Sequence, residues 1–324
     1  MRRACQQSSL SSGVGVGGFR AARVYTFSFN LARSAPKMRC LPCRAALALL
    51  FVLASCAAPT FAQEGSPTQS VPEPPPPIAD NSFLIEEAYN QEPGIVQHIN
   101  TFTRQRNGDW LYTFTQEWPF FSQRHQLSYT IPVQRFDGSP DSINGVGDVA
   151  LNYRYQLLGI GDGRVAIAPR VSVLLPTGDE KKELGKGGTG IQLNLPVSIA
   201  LTRKFVTHTN AGATFTPSAK NVLGEKAHTK DYNLGQSLIW LAAPNFNVLL
   251  EAVYNSAESV VGPRRTEREH ELLLNPGARF ALNFRSSLQI VPGISFPVGV
   301  GPSRGERGVF FYLSLEHPFR KTRE

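Results

Sequence analysis

From about residue 94 onward the chain alternates apolar and polar side chains in short stretches, joined by connections that are by turns short and long. In 191–202, Ile191, Leu193, Leu195, Val197, Ile199 and Leu201 fall on one face, with Gln192, Asn194, Ser198 and Thr202 on the other. A period of two is the signature of a β-strand. Residues 147–157 interleave Val149, Leu151, Tyr153, Tyr155 and Leu157 with Asp148, Asn152, Arg154 and Gln156, and 164–175 repeats the scheme. One face suits lipid and the other water, which is how a membrane-spanning barrel is written.

The pattern predicts an all-β protein: a single transmembrane antiparallel up-and-down β-barrel of about twelve strands. They are placed at 95–105, 110–120, 125–135, 146–157, 164–175, 190–202, 205–215, 232–241, 245–255, 270–283, 287–296 and 308–319. Links at 161–163, 203–204, 243–244 and 285–286 are short, whereas 136–145, 176–189, 216–231, 256–269 and 297–307 are long and polar. Outer-membrane barrels keep short turns in the periplasm and long loops outside, so both termini are expected in the periplasm of a Gram-negative bacterium. Aromatic bands are expected on the lipid face, with Trp110, Tyr112, Phe114, Trp118 and Phe120 on one strand and Phe311 and Phe319 on the last.

Charge changes the picture once the leader is set apart. Residues 1–62 hold eight of the 33 Lys and Arg and none of the 25 Asp and Glu, so the remainder is neutral and the basic balance is no argument for nucleic acid. All four cysteines lie in the same leader. Arg39 and Arg44 precede the apolar run 45–54, and 59–62 ends in small residues, the form of a signal peptide cleaved after Ala62. Met38 is an alternative start. A competing lipobox-like stretch, Leu53-Ala54-Ser55-Cys56, would make Cys56 a lipidated first residue. Residues 63–93 are expected as a Pro-rich periplasmic spacer, 94–319 as the barrel and 320–324 as a C-terminal tail.

With the apolar face outward, the lumen collects Glu117, Asp148, Arg154, Arg170, Glu251, Arg279 and Glu316, a mixed-sign set drawn from many strands. Such residues either set charge selectivity or stiffen the lumen as a salt-bridge network. Twelve strands enclose less than an open porin does, so a narrow or partly filled passage is expected. Loop 176–189 either gates the mouth or stays solvated. The runs 13–18 and 185–190 fit a dinucleotide glycine pattern, but neither opens a helix after a strand. The six histidines lack metal-ligand spacing, and no metal or cofactor is expected. A hydrolase would need His125 or His270 to find a Ser and an acid at the strand ends, and no spacing demands it; no catalytic activity is expected.

The stretches Gly145-Val-Gly-Asp-Val-Ala-Leu-Asn-Tyr-Arg-Tyr155, Arg170-Val-Ser-Val-Leu-Leu-Pro-Thr-Gly-Asp179 and Gly190-Ile-Gln-Leu-Asn-Leu-Pro-Val-Ser198 resemble the outer-membrane family named for the MetA pathway of phenol degradation. The resemblance is strongest over about residues 145–200 and implies a barrel that acts in transport. The reading is therefore an outer-membrane barrel passing a small solute, aromatic or otherwise hydrophobic, by passive diffusion. The alternatives are a non-conducting structural or adhesion barrel and an outer-membrane hydrolase. The expected partners are outer-membrane lipid, the solute and the barrel-assembly machinery.

Overall fold

The computed structural model describes residues 82–138, 141–160 and 163–319. The expected signal peptide, Cys56, the expected spacer up to residue 81 and the tail 320–324 lie outside them. Among the described residues no helix is long and apolar enough to cross a membrane.

One sheet contains every strand. In chain order these are β1 Ile95–Gln105, β2 Trp110–Phe120, β3 Ser122–Phe136, β4 Ile143–Val146, β5 Val149–Tyr155, β6 Val165–Ile167, β7 Arg170–Leu175 and β8 Gly190–Ala200. They continue as β9 Phe205–Lys220, β10 Lys226–Ala243, β11 Phe246–Gly262, β12 Arg265–Phe280, β13 Leu282–Asn283, β14 Gln289–Ser295, β15 Val298–Gly299 and β16 Gly308–Pro318. The short β4, β6, β13 and β15 prolong their neighbours, and the other twelve are the staves of a closed antiparallel barrel. Closure is explicit: β1 runs against β16 from Ile95 opposite Pro318 to Gln105 opposite Gly308, and β14 bonds both β12 and β16. No edge is left open, the condition for a sheet in hydrocarbon.

The two-residue period decides which side chain meets which medium. In β8, Ile191, Leu193 and Leu195 are 44–56% exposed on the outside, while Gln192, Asn194 and Ser198 are buried inside. Around the end with the shorter turns, Phe120, Phe205, Trp240, Phe246, Phe280 and Phe319 point outward. Phe205 and Phe215 are both exposed on β9. Ten residues of strand at about 3.3 Å each, tilted by about 40°, separate them by about 25 Å, the height of an apolar band. A continuous greasy exterior of this extent has no place in water.

Two of the expected long loops are corrected. Residues 216–231 and 256–269 are largely strand: β9 and β10 join through 221–225, and β11 and β12 through Pro263 and Arg264, the latter at φ 58°. These hairpins continue past the apolar belt, where both faces meet polar surroundings, so the alternation that marks a membrane strand fades although the ladder persists. Ala219, Ala227 and Val260 hold the two hairpins together.

Candidate functional site

The segment before β1 lies inside the barrel. Residues 82–91, expected as part of a solvated spacer, enter the cylinder and follow its inner wall. The reason is local: Phe83, Leu84 and Ile85 form an apolar triplet, and each is at most 4% exposed. They pack with Ile99, Ile239, Leu249, Val253, Leu273, Val291, Phe310 and Tyr312 as the main hydrophobic core. The Phe83 ring lies 5.6 Å from both Phe310 and Tyr312, centroid to centroid. Gly277 and Gly293 make the notch that admits it, since a Cβ on either would stand 2.5 Å from the Phe83 ring.

Along the plug the N–H groups of alternate residues face the wall, and the wall supplies an oxygen each time. The N–H groups of Leu84, Glu86, Ala88 and Asn90 donate to Glu251 Oε1 at 2.9 Å and to Asn210 Oδ1, Ser198 Oγ and Gln156 Oε1 at 2.8 Å each. Gln91 N–H donates to Gln126 Oε1 at 2.8 Å. Buried backbone donors left unpaired would cost about 1–3 kcal/mol each, so the lumen side chains do for this segment what a neighbouring strand would do in a sheet.

Several of the sequence-predicted lumen residues belong to this cradle. Arg154 donates to Asn90 Oδ1 at 2.9 Å and to the carbonyls of Glu87 and Tyr89 at 3.2 and 2.7 Å, with Glu117 at 3.6 Å. Arg170 pairs with Glu86 at 2.9 Å and donates to Gln192 Oε1. Glu251, fully buried, also accepts from Asn275 Nδ2 at 2.6 Å. Arg279, 1% exposed, lies near Glu251 and His208 in the filled half. Glu316 is half-buried at the end where the chain enters, opposite Gln97 and Gln289. Asn210, Ser198, Gln156 and Gln126 were not among the expected lumen residues. Their signal was there: amides and hydroxyls at inward positions of successive strands, without charge to draw attention.

The plug fills one half of the lumen and leaves a cavity in the other. Its walls carry hydroxyls: Thr101 bonds Thr113 at 2.6 Å and Thr115 bonds Thr130 at 2.9 Å. Phe83, Leu84 and Ile85 give it an apolar side, and Glu117, Asp148, Arg154 and Arg170 border it.

Loop 176–189 folds back over the far end. A short turn at Glu180–Lys182 is capped by Asp179, and Leu184, 3% exposed, gives its carbonyl to Gln134 Nε2 at 3.0 Å. Asp148 accepts from the N–H groups of Gly178 and Lys186 at 3.0 and 2.7 Å. The Lys186 ammonium reaches Asp231 at 3.4 Å and the Glu258 carbonyl at 2.6 Å. Burial pushes the Lys186 pKa down, and Asp231 opposes that shift. One residue thus joins the start of β5 to β10 and β11, spanning much of the mouth.

His125 and His270, the residues a hydrolase would have used, each bond a tyrosine on the outward face: Tyr153 at 2.7 Å and Tyr254 at 2.8 Å. The Ser198 and His208 pair, 2.7 Å apart, is buried behind the plug as part of its cradle.

Among solved structures, the chain is similar to the COG4313 outer membrane channel from Pseudomonas putida F1, with a TM-score of 0.54 and 12% identity over 71% of this chain and 97% of that one. It is also similar to the KdgM porin, at TM-score 0.43, 9% identity, 69% of this chain and 99% of that one. The CymD monoaromatic hydrocarbon channel aligns at TM-score 0.36, 9% identity, 71% and 90%. At these identities the likeness concerns the fold, and only the first score supports an argument. No curated protein matches the chain. The family model described as "Putative MetA-pathway of phenol degradation" matches residues 86–311, most of the plug and nearly the whole barrel, and the chain belongs to that family.

Proposed function

We propose that this protein is an outer-membrane channel through which a small, weakly polar solute, aromatic or otherwise hydrophobic, diffuses passively. The observation that carries the reading is the cavity between plug and loop, with hydroxyls along one wall and Phe83, Leu84 and Ile85 on the other. Such a chamber suits a small ring bearing a hydroxyl, which fits the family's association with phenol. Passage requires displacement of the plug and of loop 176–189, both held by non-covalent contacts, so no energy source is implied.

The plug enters at the end where β16 finishes and the shorter turns lie, which supports a periplasmic placement of both termini. In this reading residues 1–62 direct export, and lipid and the assembly machinery are the protein's other partners. Glu117, Asp148, Arg154 and Arg170 border the solute's path, while Glu251, Arg279 and Glu316 keep the barrel filled and in register.

The test is planar-bilayer recording from the full chain and from a variant lacking residues 82–91. The variant is expected to give larger and longer-lived steps than the parent. Absence of steps from folded variant, with a porin control conducting, would reject the channel in favour of a structural or adhesion barrel. Ester or peptide hydrolysis by the detergent-solubilised protein would instead revive the hydrolase.

A further inference from the structure

His98 of β1 and His317 of β16 meet on the outward face, across the seam that closes the cylinder. Their Nε2 atoms are 3.2 Å apart, and the rings stack at 5.3 Å with 26° between their planes. Phe114 stacks on the other side of His98 at 6.1 Å. In the register His98 opposes Leu315 and His317 opposes Val96, so the two are diagonal neighbours on one face. Both rings are half-buried.

The tautomer of His317 is set by its other nitrogen. Nδ1 lies 3.1 Å from the Pro318 carbonyl oxygen, which can only accept, so the proton is on Nδ1 and the Nε2 lone pair points at His98. A metal-ligating imidazole is prepared in this way, with the distal N–H held by a backbone carbonyl and the near nitrogen free to coordinate.

We propose that His98 and His317 form a two-imidazole site for a borderline divalent transition cation, of the class of Cu²⁺, Ni²⁺ or Zn²⁺. Metal–nitrogen bonds of about 2.0–2.1 Å place two imidazole nitrogens about 3.0 Å apart at a right angle and about 3.4 Å apart in a tetrahedron. The observed 3.2 Å falls between these, so the two nitrogens already stand at the spacing of a shared ion, and the proton of His98 moves from Nε2 to Nδ1 as the ion binds. Among the described residues no group of three His, Cys, Asp or Glu gathers as a metal site, so water fills the remaining positions and the affinity is modest. The bound ion ties the first strand to the last, at the one seam whose partners are separated by the whole barrel in sequence. The competing use of the pair is a plain hydrogen bond from His98 Nε2–H to His317 Nε2, which binds no metal.

The test uses full-length protein in detergent with Cys5, Cys40, Cys43 and Cys56 replaced by serine, titrated with Cu²⁺ and read by nitrogen hyperfine structure in electron paramagnetic resonance. Two equivalent imidazole nitrogens are expected, with binding at least tenfold weaker in His98→Gln and in His317→Gln and unchanged in His125→Gln. Zn²⁺ should also raise the temperature at which the barrel loses its folded gel mobility in the parent but not in His98→Gln. Should a variant fail to fold, the parent alone decides: Zn²⁺ must protect His98 and His317 together from diethyl pyrocarbonate. A one-nitrogen spectrum, equal affinity in parent and variants, or modification indifferent to Zn²⁺ would overturn the site and leave the hydrogen bond; none of these outcomes bears on conduction.

Discussion

Gly293→Ala tests whether the plug is held by shape. A Cβ at this position of β14 would stand 2.5 Å from Phe83 Cε1 and 2.8 Å from Cζ, with Arg279 Cβ next at 3.1 Å. The crowding falls on the plug rather than on the barrel backbone. Overpacking of this kind costs about 1–3 kcal/mol, which lowers the ratio of docked to displaced plug by about 5- to 150-fold at 1.4 kcal/mol per factor of ten. Ala88 is fully buried within the plug, so a cysteine placed there, in a chain whose four native cysteines are serine, reports exposure by its rate of thiol labelling. Where redocking outpaces labelling, that rate follows the displaced population. Gly293→Ala should accelerate it by the factor above, and the acceleration should vanish in a Phe83→Ala background, since the clashing ring is gone. Equal acceleration in both backgrounds, or none in either, would refute a plug seated by the glycine notch.

Three further outcomes follow from the same contacts. Glu251→Ala strands the buried N–H of Leu84 and the Asn275 amide; at about 1–3 kcal/mol for each lost partner, labelling at position 88 should rise at least tenfold, and an unchanged rate would mean that the plug does not depend on this carboxylate. Lys186→Ala breaks a buried ion pair with Asp231, a loss of about 3–5 kcal/mol, so trypsin should cut after Lys181 or Lys182 more than about a hundredfold faster in intact membranes. A loop cleaved no faster would show that Lys186 is not its anchor. Leu193→Arg, at a site 56% exposed in the middle of β8, should lower the urea stability of the barrel in lipid vesicles by about 2–4 kcal/mol; a neutral effect would mean that this face does not meet hydrocarbon.

Much of the architecture was legible because the two-residue period is local. Ile191 to Leu201 declare their outward face without reference to any partner, and the links at 203–204 and 243–244 fall where strands stop. The hairpins at 216–231 and 256–269 were misread for the converse reason: beyond the lipid both faces of Lys226–Asp231 and Arg265–Glu269 are served by polar groups, and pairing alone keeps them strand. The plug was missed because three apolar residues beside a proline-rich stretch carry no periodicity. What makes Phe83–Ile85 a core is a pocket assembled from strands far along the chain, and Gly235, Gly277 and Gly293 read as weak strand positions until a side chain is seen in front of them.

The sequence by itself therefore determined that the chain is a barrel of antiparallel strands, and which side of each strand is greasy and which polar, because alternation is written residue by residue and hydrophobic burial follows it. Only the tertiary structure decided what those inward groups do. Arg154, Arg170 and Glu251 hold the segment before β1 inside the barrel, Lys186 joins loop 176–189 to β10 and β11, and His98 finds His317. Each of these meetings depends on closing a cylinder around its own N-terminal segment, and the distance between partners across a closed sheet is a property of register and curvature that no local pattern encodes.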